Sequence, residues 1–416
     1  MAKKRIALVG ASNRVRMFVK ELRKGHMDRY EFAGIMDVDP GKMRGFCEMM
    51  DLNVPMFTDF DALCDAVKPD IVIVTTVDRY HAEYVCRALD RKIAVVSEKP
   101  LCISAEQCRM IRAAQARNPG VFAATSHNVR YFAPVRKMRD LIQSGAIGRV
   151  LTCQFTEMLD RYHGTSYFRR WNSERANTGG LQFHKASHHF DELNWMMDTR
   201  AAEVTAVGAL LSYGAKASPF RGKNCHTCTH DCPYRVRYED DKDSPTYRMF
   251  YKYAIPGGYT PDLCIFRPEI DIEDFLNVTI RYENGVLCNY NLTAQANYEG
   301  QTIIFDGETG RIEFESRIYR DLKTQTDDVQ DTNTLSRNKL TLCRYGHGEP
   351  ESFPVDTSEG GHGGSDKLIV ADLFGDHPSD TLATLEEGMQ AVLVAAAINE
   401  SLATHGPVQV QPLLNG

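Results

Sequence analysis

The sequence predicts an α/β protein in two parts. A doubly wound parallel sheet is expected over residues 1–130. An α+β domain with an open, mostly antiparallel sheet is expected over residues 131–416. Three observations predict this. The chain, at 416 residues, is longer than one hydrophobic core usually serves. Its first 130 residues alternate short apolar runs with amphipathic stretches, the pattern of β-α-β units. Beyond Arg130 the apolar runs succeed one another with only hairpin signals between them.

Taken in order, Arg5 to Gly10 is an apolar run closed by glycine, and Glu31 to Val38 is a second run with an acid near its end. Asp70 to Val77, Ile93 to Ser97 and Val121 to Ser126 are nearly continuous apolar runs, as strands buried on both faces should be. His81 to Arg91 places Tyr84, Val85, Ala88 and Leu89 on one helical face. In the second part, Pro134 to Ser144 reads as a helix, Val150 to Glu157 as a strand, and Gly179 to Met197 as a Gly-Gly turn entering one long helix. Strands follow at Val204 to Leu210, Asn277 to Tyr282, Val286 to Thr293, Gln301 to Asp306 and Gly310 to Glu315. Asn284-Gly285 and the segment around Gly310 give the turns. Residues 215–270 read as an irregular polar insertion, 322–340 as a surface loop, and Leu382 to Leu402 as a closing helix.

Bulk composition excludes several classes. Apolar and charged fractions of 43% and 25% are ordinary for a globular chain. A net charge of −6 without a basic run argues against a nucleic-acid partner. No apolar stretch reaches membrane-spanning length, and the N-terminus has no secretory pattern, so a cytoplasmic protein is expected.

A strand ending in Gly10, followed by Ala11, Ser12, Asn13 and Arg14, is where a Rossmann fold cradles a pyrophosphate on a helix N-terminus. Only the first glycine of the usual G-x-G-x-x-G is kept, and an ordinary tight turn would read the same way. Asp37 adds to it, because a carboxylate ending the second strand can hold both ribose hydroxyls of NAD and repel the extra phosphate of NADP. Arg44 is close enough in sequence to oppose that preference.

From Thr75 onward the chain resembles the glucose-fructose oxidoreductase and inositol dehydrogenase family, Gfo/Idh/MocA. The residues that carry the resemblance are Thr75-Thr76 with His81 opening the next helix; Glu98-Lys99-Pro100; Asn128, Arg130 and Tyr131; Gly179-Gly180 with Ser187, His188 and Asp191; and Pro407-Val408 after a long helix. The resemblance implies NAD as cofactor, with Thr75, His81, Glu98, Lys99 and Asn128 beside it. It further implies Lys99 as active-site lysine, His188 as catalytic histidine, and assembly as a homodimer or homotetramer. Where the family usually has aspartate, four residues before the histidine, this chain has His184, so the aspartate's part falls to His184 or to Lys185.

The chemistry suits those residues. Oxidising a secondary alcohol sends a hydride to the nicotinamide and a proton to a base, and histidine titrates in the right range. A neighbouring lysine steadies the developing alkoxide. The resemblance places Arg130 by the substrate; Tyr162, Arg170, Trp171 and His362 are further candidates for it, since aromatic rings stack on sugar C–H faces and arginine binds hydroxyls or carboxylates. Arg169 and His163 lie beside them, and His362 opens the cluster His-Gly-Gly-Ser-Asp. A carbohydrate or cyclitol dehydrogenase is the expected function. A glycoside-cleaving enzyme using transient oxidation by bound NAD is the alternative.

Eight of the twelve cysteines are scattered through apolar segments. The others, Cys225, Cys228, Cys232 and Cys264, fall in the insertion with C-x2-C-x3-C spacing and suggest a structural zinc that would staple it. His184 and His188, one helical turn apart on the expected helix, could also ligate a metal.

Overall fold

The structure, a computed structural model, describes residues 2–320, 334–355, 364–376 and 378–415. The N-terminal elements are β1 (Lys4–Val9), α1 (Asn13–Gly25), β2 (Tyr30–Met36), α2 (Pro40–Met49), β3 (Met56–Phe57), α3 (Phe60–Val67), β4 (Ile71–Val74), α4 (His81–Asp90), β5 (Ala94–Glu98), α5 (Ala105–Arg117) and β6 (Ala123–Ser126). Short polar residues start the helices as expected: Ser12, Asp39, Asp59 and Ser104 each accept a first-turn backbone N–H. The strands form a sheet that is parallel from β3 to β6, with Ile71–Val74 buried throughout.

The C-terminal elements are α6 (Ala133–Gln143), β7 (Val150–Asp160), α7 (Arg161–Phe168), α8 (Arg175–Thr178), α9 (Leu181–His184), α10 (Ser187–Met197), β8 (Ala201–Ala209), α11 (Pro245–Phe250), β9 (Phe275–Tyr282), β10 (Leu287–Ala296), β11 (Glu299–Gly307), β12 (Gly310–Arg320), β13 (Thr334–Arg344), β14 (Glu351–Phe353), α12 (Ser365–Leu373), β15 (Ala383–Thr384), α13 (Leu385–Thr404) and β16 (Val408–Gln409). Nine strands form an open sheet in the order β14-β13-β12-β11-β7-β10-β9-β8-β16, antiparallel except for the β7–β10 pair. In β9, Leu276, Val278, Ile280 and Tyr282 are buried while the alternating residues are exposed. The buried face packs with α10 and α13 in one hydrophobic core.

Three expectations need correcting. Residues 334–340 are not loop but strand, paired with β12; Leu340 and Leu342 are buried among polar neighbours, an alternation too short to outweigh the polar run before it. The rest of that expected loop, 322–333, lies outside the described residues. The long helix of 179–197 is broken at Lys185-Ala186, because neighbouring polar side chains find buried carboxylates in different places: His184 at Asp78, Lys185 at Glu157. Finally, the C-terminal part reaches back into the first sheet, where β15 pairs antiparallel with β6. Thr384 of that strand then caps α13 through a capping box with Glu387.

Candidate active site

Strand order reverses between β1 and β4, which are neighbours in the first sheet. In open α/β sheets the crevice past the C-terminal ends of such strands is the ligand position. Gly10 closes β1 at φ +98°, and a Cβ on it would lie 2.7 Å from the Thr75 carbonyl oxygen. No residue with a side chain fits there. Thr75, just past β4, donates its hydroxyl to the Gly10 carbonyl at 2.8 Å and its N–H to Val9 at 2.8 Å. The two strand ends are thereby locked together beneath the first turn of α1. Ser12 spends its side chain on the Val15 N–H at 3.2 Å, and the amides of Asn13 and Arg14 have no acceptor within the helix.

Asp37 is buried past the end of β2. It accepts from the Ala11 N–H at 2.8 Å, the Asp39 N–H at 3.0 Å and the Lys42 ammonium at 2.9 Å. The acceptor count of a carboxylate leaves room for a ribose hydroxyl. Arg44 is turned away, pairing with Glu48 at 3.4 Å and lying 4.2 Å over the Tyr253 ring. The glycine-only approach, the free amides and the fixed carboxylate together fit a dinucleotide.

The next shell is built from charges drawn from three elements. Arg14 pairs with Glu98 at 2.8 Å and with Asp366, at the start of α12, at 3.5 Å. Asn128 donates to the same Asp366 at 2.8 Å. His81 lies between the carbonyls of Pro100 (2.7 Å) and Thr76 (3.1 Å), so it ties together the turns after β4 and β5. The Lys99–Pro100 bond in that turn is cis.

Lys99 Nζ donates to the backbone carbonyl of His184 at 2.7 Å. Burial pushes its ammonium down to about 8, against the pull of Glu98 and Asp78. His184 is clamped on both sides: Nδ1 is 2.6 Å from Asp78 and Nε2 is 2.9 Å from the Asn172 amide nitrogen. A carboxylate–histidine pair is thus present, with Asp78 from the β4–α4 turn supplying the acid. Lys185 takes no part in it. Burial works against its charge, but Glu157 at 2.8 Å more than offsets that and holds the ammonium above its ordinary value. His188 is 7% exposed and its Nδ1 is buried without a partner. Burial, followed by the charges of Lys99, His127 and Lys185, holds its imidazole well below the ordinary histidine value.

The expected substrate residues divide. Trp171 sets its ring edge-on to His184, centroids 5.5 Å apart. Tyr162 and Arg170 line a cavity between α7 and residues 233–238. Arg130 is committed elsewhere: it is 1% exposed and bonded to Asp191 and Glu387, so its side chain is placed to join elements rather than to meet substrate. His362 lies outside the described residues.

The metal expectations are not supported. Among the described residues no group of three or more His, Cys, Asp or Glu side chains is gathered as a metal would need. Cys225, Cys228, Cys232 and Cys264 are all free thiols. The Cys264 sulfur accepts from the Gly222 N–H at 3.4 Å instead. Nor is the insertion without a core. Met249 of α11 is buried in the N-terminal core, and Gly45 of α2 lets α11 approach so closely that a Cβ would lie 1.9 Å from the Arg248 carbonyl. His184 and His188 do not share a helix, and the first is fully used by Asp78 and Asn172.

Sequence reading missed Asp78, Asn172, Lys42 and Glu157. Asp78 alone had a usable signal, lying between Thr75 and His81 in a segment already marked. Asp366 carries a sequence signal only as the last residue of the polar cluster that His362 opens.

Residues 4–125 match the family described as "Oxidoreductase family, NAD-binding Rossmann fold", and residues 139–410 its "C-terminal alpha/beta domain". YteT of Bacillus subtilis (strain 168), described as an oxidoreductase, is 34% identical over 438 aligned positions, covering 99% of this chain and 98% of that one. The 2,7-anhydro-N-acetylneuraminate hydratase of Mediterraneibacter gnavus is 30% identical over 193 positions, 46% of this chain and 50% of that one. A solved levoglucosan dehydrogenase, in complex with NADH and levoglucosan, superposes with a TM-score of 0.67 at 16% identity, covering 99% of this chain and 100% of that one. Family matches over both halves and a full-length relative agree with the dinucleotide crevice at Gly10: the chain belongs to the Gfo/Idh/MocA oxidoreductase family, with an NAD-binding Rossmann domain at its N-terminus.

Proposed function

We propose that this protein transfers a hydride between NAD and a secondary hydroxyl of a sugar, glycoside or cyclitol. The observation that carries this reading is the buried, unpartnered Nδ1 of His188 in the electrostatic field of Lys99, beside a crevice that fits a dinucleotide. NAD bound there supplies the nicotinamide that takes the hydride. His188, held neutral, accepts the hydroxyl proton. Lys99 keeps two N–H donors after bonding the His184 carbonyl, and these steady the oxygen as it becomes an alkoxide. Asp78 and Asn172 fix His184, whose carbonyl in turn places Lys99; all three act as positioning residues. Among the described residues no helix is long and apolar enough to cross a membrane. The exposed face of the nine-stranded sheet, with Val207 and Leu287 open to solvent, supports a homodimer or homotetramer, which light scattering would measure.

The test is a panel of sugars, glycosides and cyclitols followed for NADH absorbance and for released aglycone. NADH accumulation supports the reading. Turnover with released aglycone and no NADH supports the glycoside-cleaving alternative. One observation favours keeping that second outcome in view: the hydratase relative is named for a reaction with no net oxidation.

Two further results are expected. Calorimetry should show NAD⁺ binding at least about tenfold more tightly than NADP⁺, roughly 1.4 kcal/mol, and Asp37→Ala should narrow that gap. Equal affinities in the wild type would contradict the role of Asp37. The pH profile of kcat/KM should have its acid limb below 6.5, where His188 takes up a proton, and its alkaline limb near 8, where Lys99 loses one. Lys99→Arg keeps the charge and should remove the alkaline limb; a limb that stays at 8 in the variant assigns it to another group.

A further inference from the structure

The cavity between α7 and residues 233–238 has a volume of 120 Å³. Three guanidinium groups line it, from Arg161, Arg169 and Arg170, and no acidic side chain does. Among the described residues the other buried arginines pair with carboxylates, Arg130 with Asp191 and Arg267 with Glu174, and the half-buried Arg14 pairs with Glu98. These three are not. Arg161 donates to the Pro233 carbonyl and lies 4.0 Å over the Tyr234 ring. Arg169 is 6% exposed; its Nη2 donates to the Tyr234 carbonyl at 3.1 Å, and its Nη1 is buried with no partner at all. Arg170 lies among the hydroxyls of Tyr162, Tyr238 and Tyr259.

A buried cation with an unsatisfied N–H is costly unless an anion completes it. A guanidinium fork matches a carboxylate through two parallel hydrogen bonds, and tyrosine hydroxyls extend such a site toward neighbouring sugar hydroxyls. The cavity is also next to the candidate active site. His163 lines it and bonds the Tyr167 hydroxyl at 2.8 Å, and the Tyr167 ring lies edge-on to His184 at 5.5 Å. Arg170 is followed directly by Trp171, whose ring is also edge-on to His184.

We infer that this cavity receives the carboxylate of a sugar acid, a uronate in its simplest form, held by Arg169 and Arg170 while a ring hydroxyl faces His188. The inference rests on the proposed reading of the site and names its substrate class.

Calorimetric titration of the NAD⁺-loaded protein with sodium D-glucuronate and sodium D-galacturonate, and with D-glucose, D-galactose and D-glucose 6-phosphate, tests it. At least one uronate should bind about tenfold or more tightly than its neutral counterpart, about 1.4 kcal/mol. Arg170→Gln should erase that preference while NAD⁺ affinity stays the same. Arg169→Gln should do likewise; if that variant does not fold, Arg170→Gln decides. The inference is overturned if uronates bind no better than the neutral sugars, if the preference survives Arg170→Gln, or if the sugar phosphate binds more tightly than either uronate. Because binding is read without turnover, the two readings fail separately. A uronate bound through Arg170 but never oxidised sinks the hydride-transfer reading and keeps the carboxylate site. A neutral sugar oxidised with no uronate preference does the reverse.

Discussion

Replacing Lys99 or His188 by alanine should each lower kcat/KM by about a hundredfold or more, the scale on which general acid–base groups act. The two losses have different origins. His188 loses its proton-accepting role, and the rate should fall across the whole pH range. Lys99 loses the charge that steadies the alkoxide, and the alkaline limb near 8 should vanish with it. Asp78→Asn should cost less than either. The amide can still contact His184 Nδ1 but no longer offers a charge to fix its tautomer, so Lys99 is held less firmly through the His184 carbonyl. NAD⁺ affinity and thermal stability measured on the same samples separate chemistry from folding. Near wild-type turnover in Lys99→Ala or His188→Ala, with both of those intact, would refute the assignment.

What the sequence disclosed and what it hid have a physical division. Periodicity is a local signal, so the β-α-β alternation and the alternating strands of the open sheet were legible. Lys99 and His188 stand out in the sequence because each sits in a short motif whose residues are contiguous; the roles given to them belong to the proposed function. The partner of His184 was not: Asp78 is 106 residues away, and no local pattern in one sequence ties a turn after β4 to a helix end in the second domain. The helix break at Lys185 was hidden for the same reason, since its cause is a carboxylate on β7. The cysteine cluster misled in the opposite direction. Its spacing suggested a staple for a segment without a core, whereas Met249 and the glycine contact at Gly45 had already anchored that segment through residues that no motif marks.

Arg130 shows how far a motif residue can be from the role its motif suggests, and it carries the largest expected effect on stability. Its guanidinium makes two bonds of 2.7 Å to Asp191 of α10 and one of 2.9 Å to Glu387 of α13, and it lies 5.5 Å from the Trp195 ring. The segment after β6 is thereby tied to two helices that cover the second sheet. Arg130→Ala leaves the Asp191 carboxylate buried, with only His127 at 3.6 Å facing it. Breaking a buried pair from one side costs about 3–5 kcal/mol. At roughly 1 °C per kcal/mol for a chain of this length, the melting temperature should drop by about five degrees. The pH dependence has a defined sign. Burial works to raise the Glu387 carboxyl, but Arg130 and the Thr384 contacts outweigh it and hold the group below 4.5. A carboxyl depressed in the folded state stabilises above its unfolded pKa, and that contribution fades as the pH falls through the folded one. The gap between wild type and Arg130→Ala should therefore be full at neutral pH and shrink below pH 4.5. Removing both partners in Arg130→Leu with Asp191→Leu should recover much of the loss, because the fully buried carboxylate is gone and only Glu387, whose side chain reaches solvent, loses its cation. A single variant that melts with wild type but shows a raised KM would instead place Arg130 on the substrate.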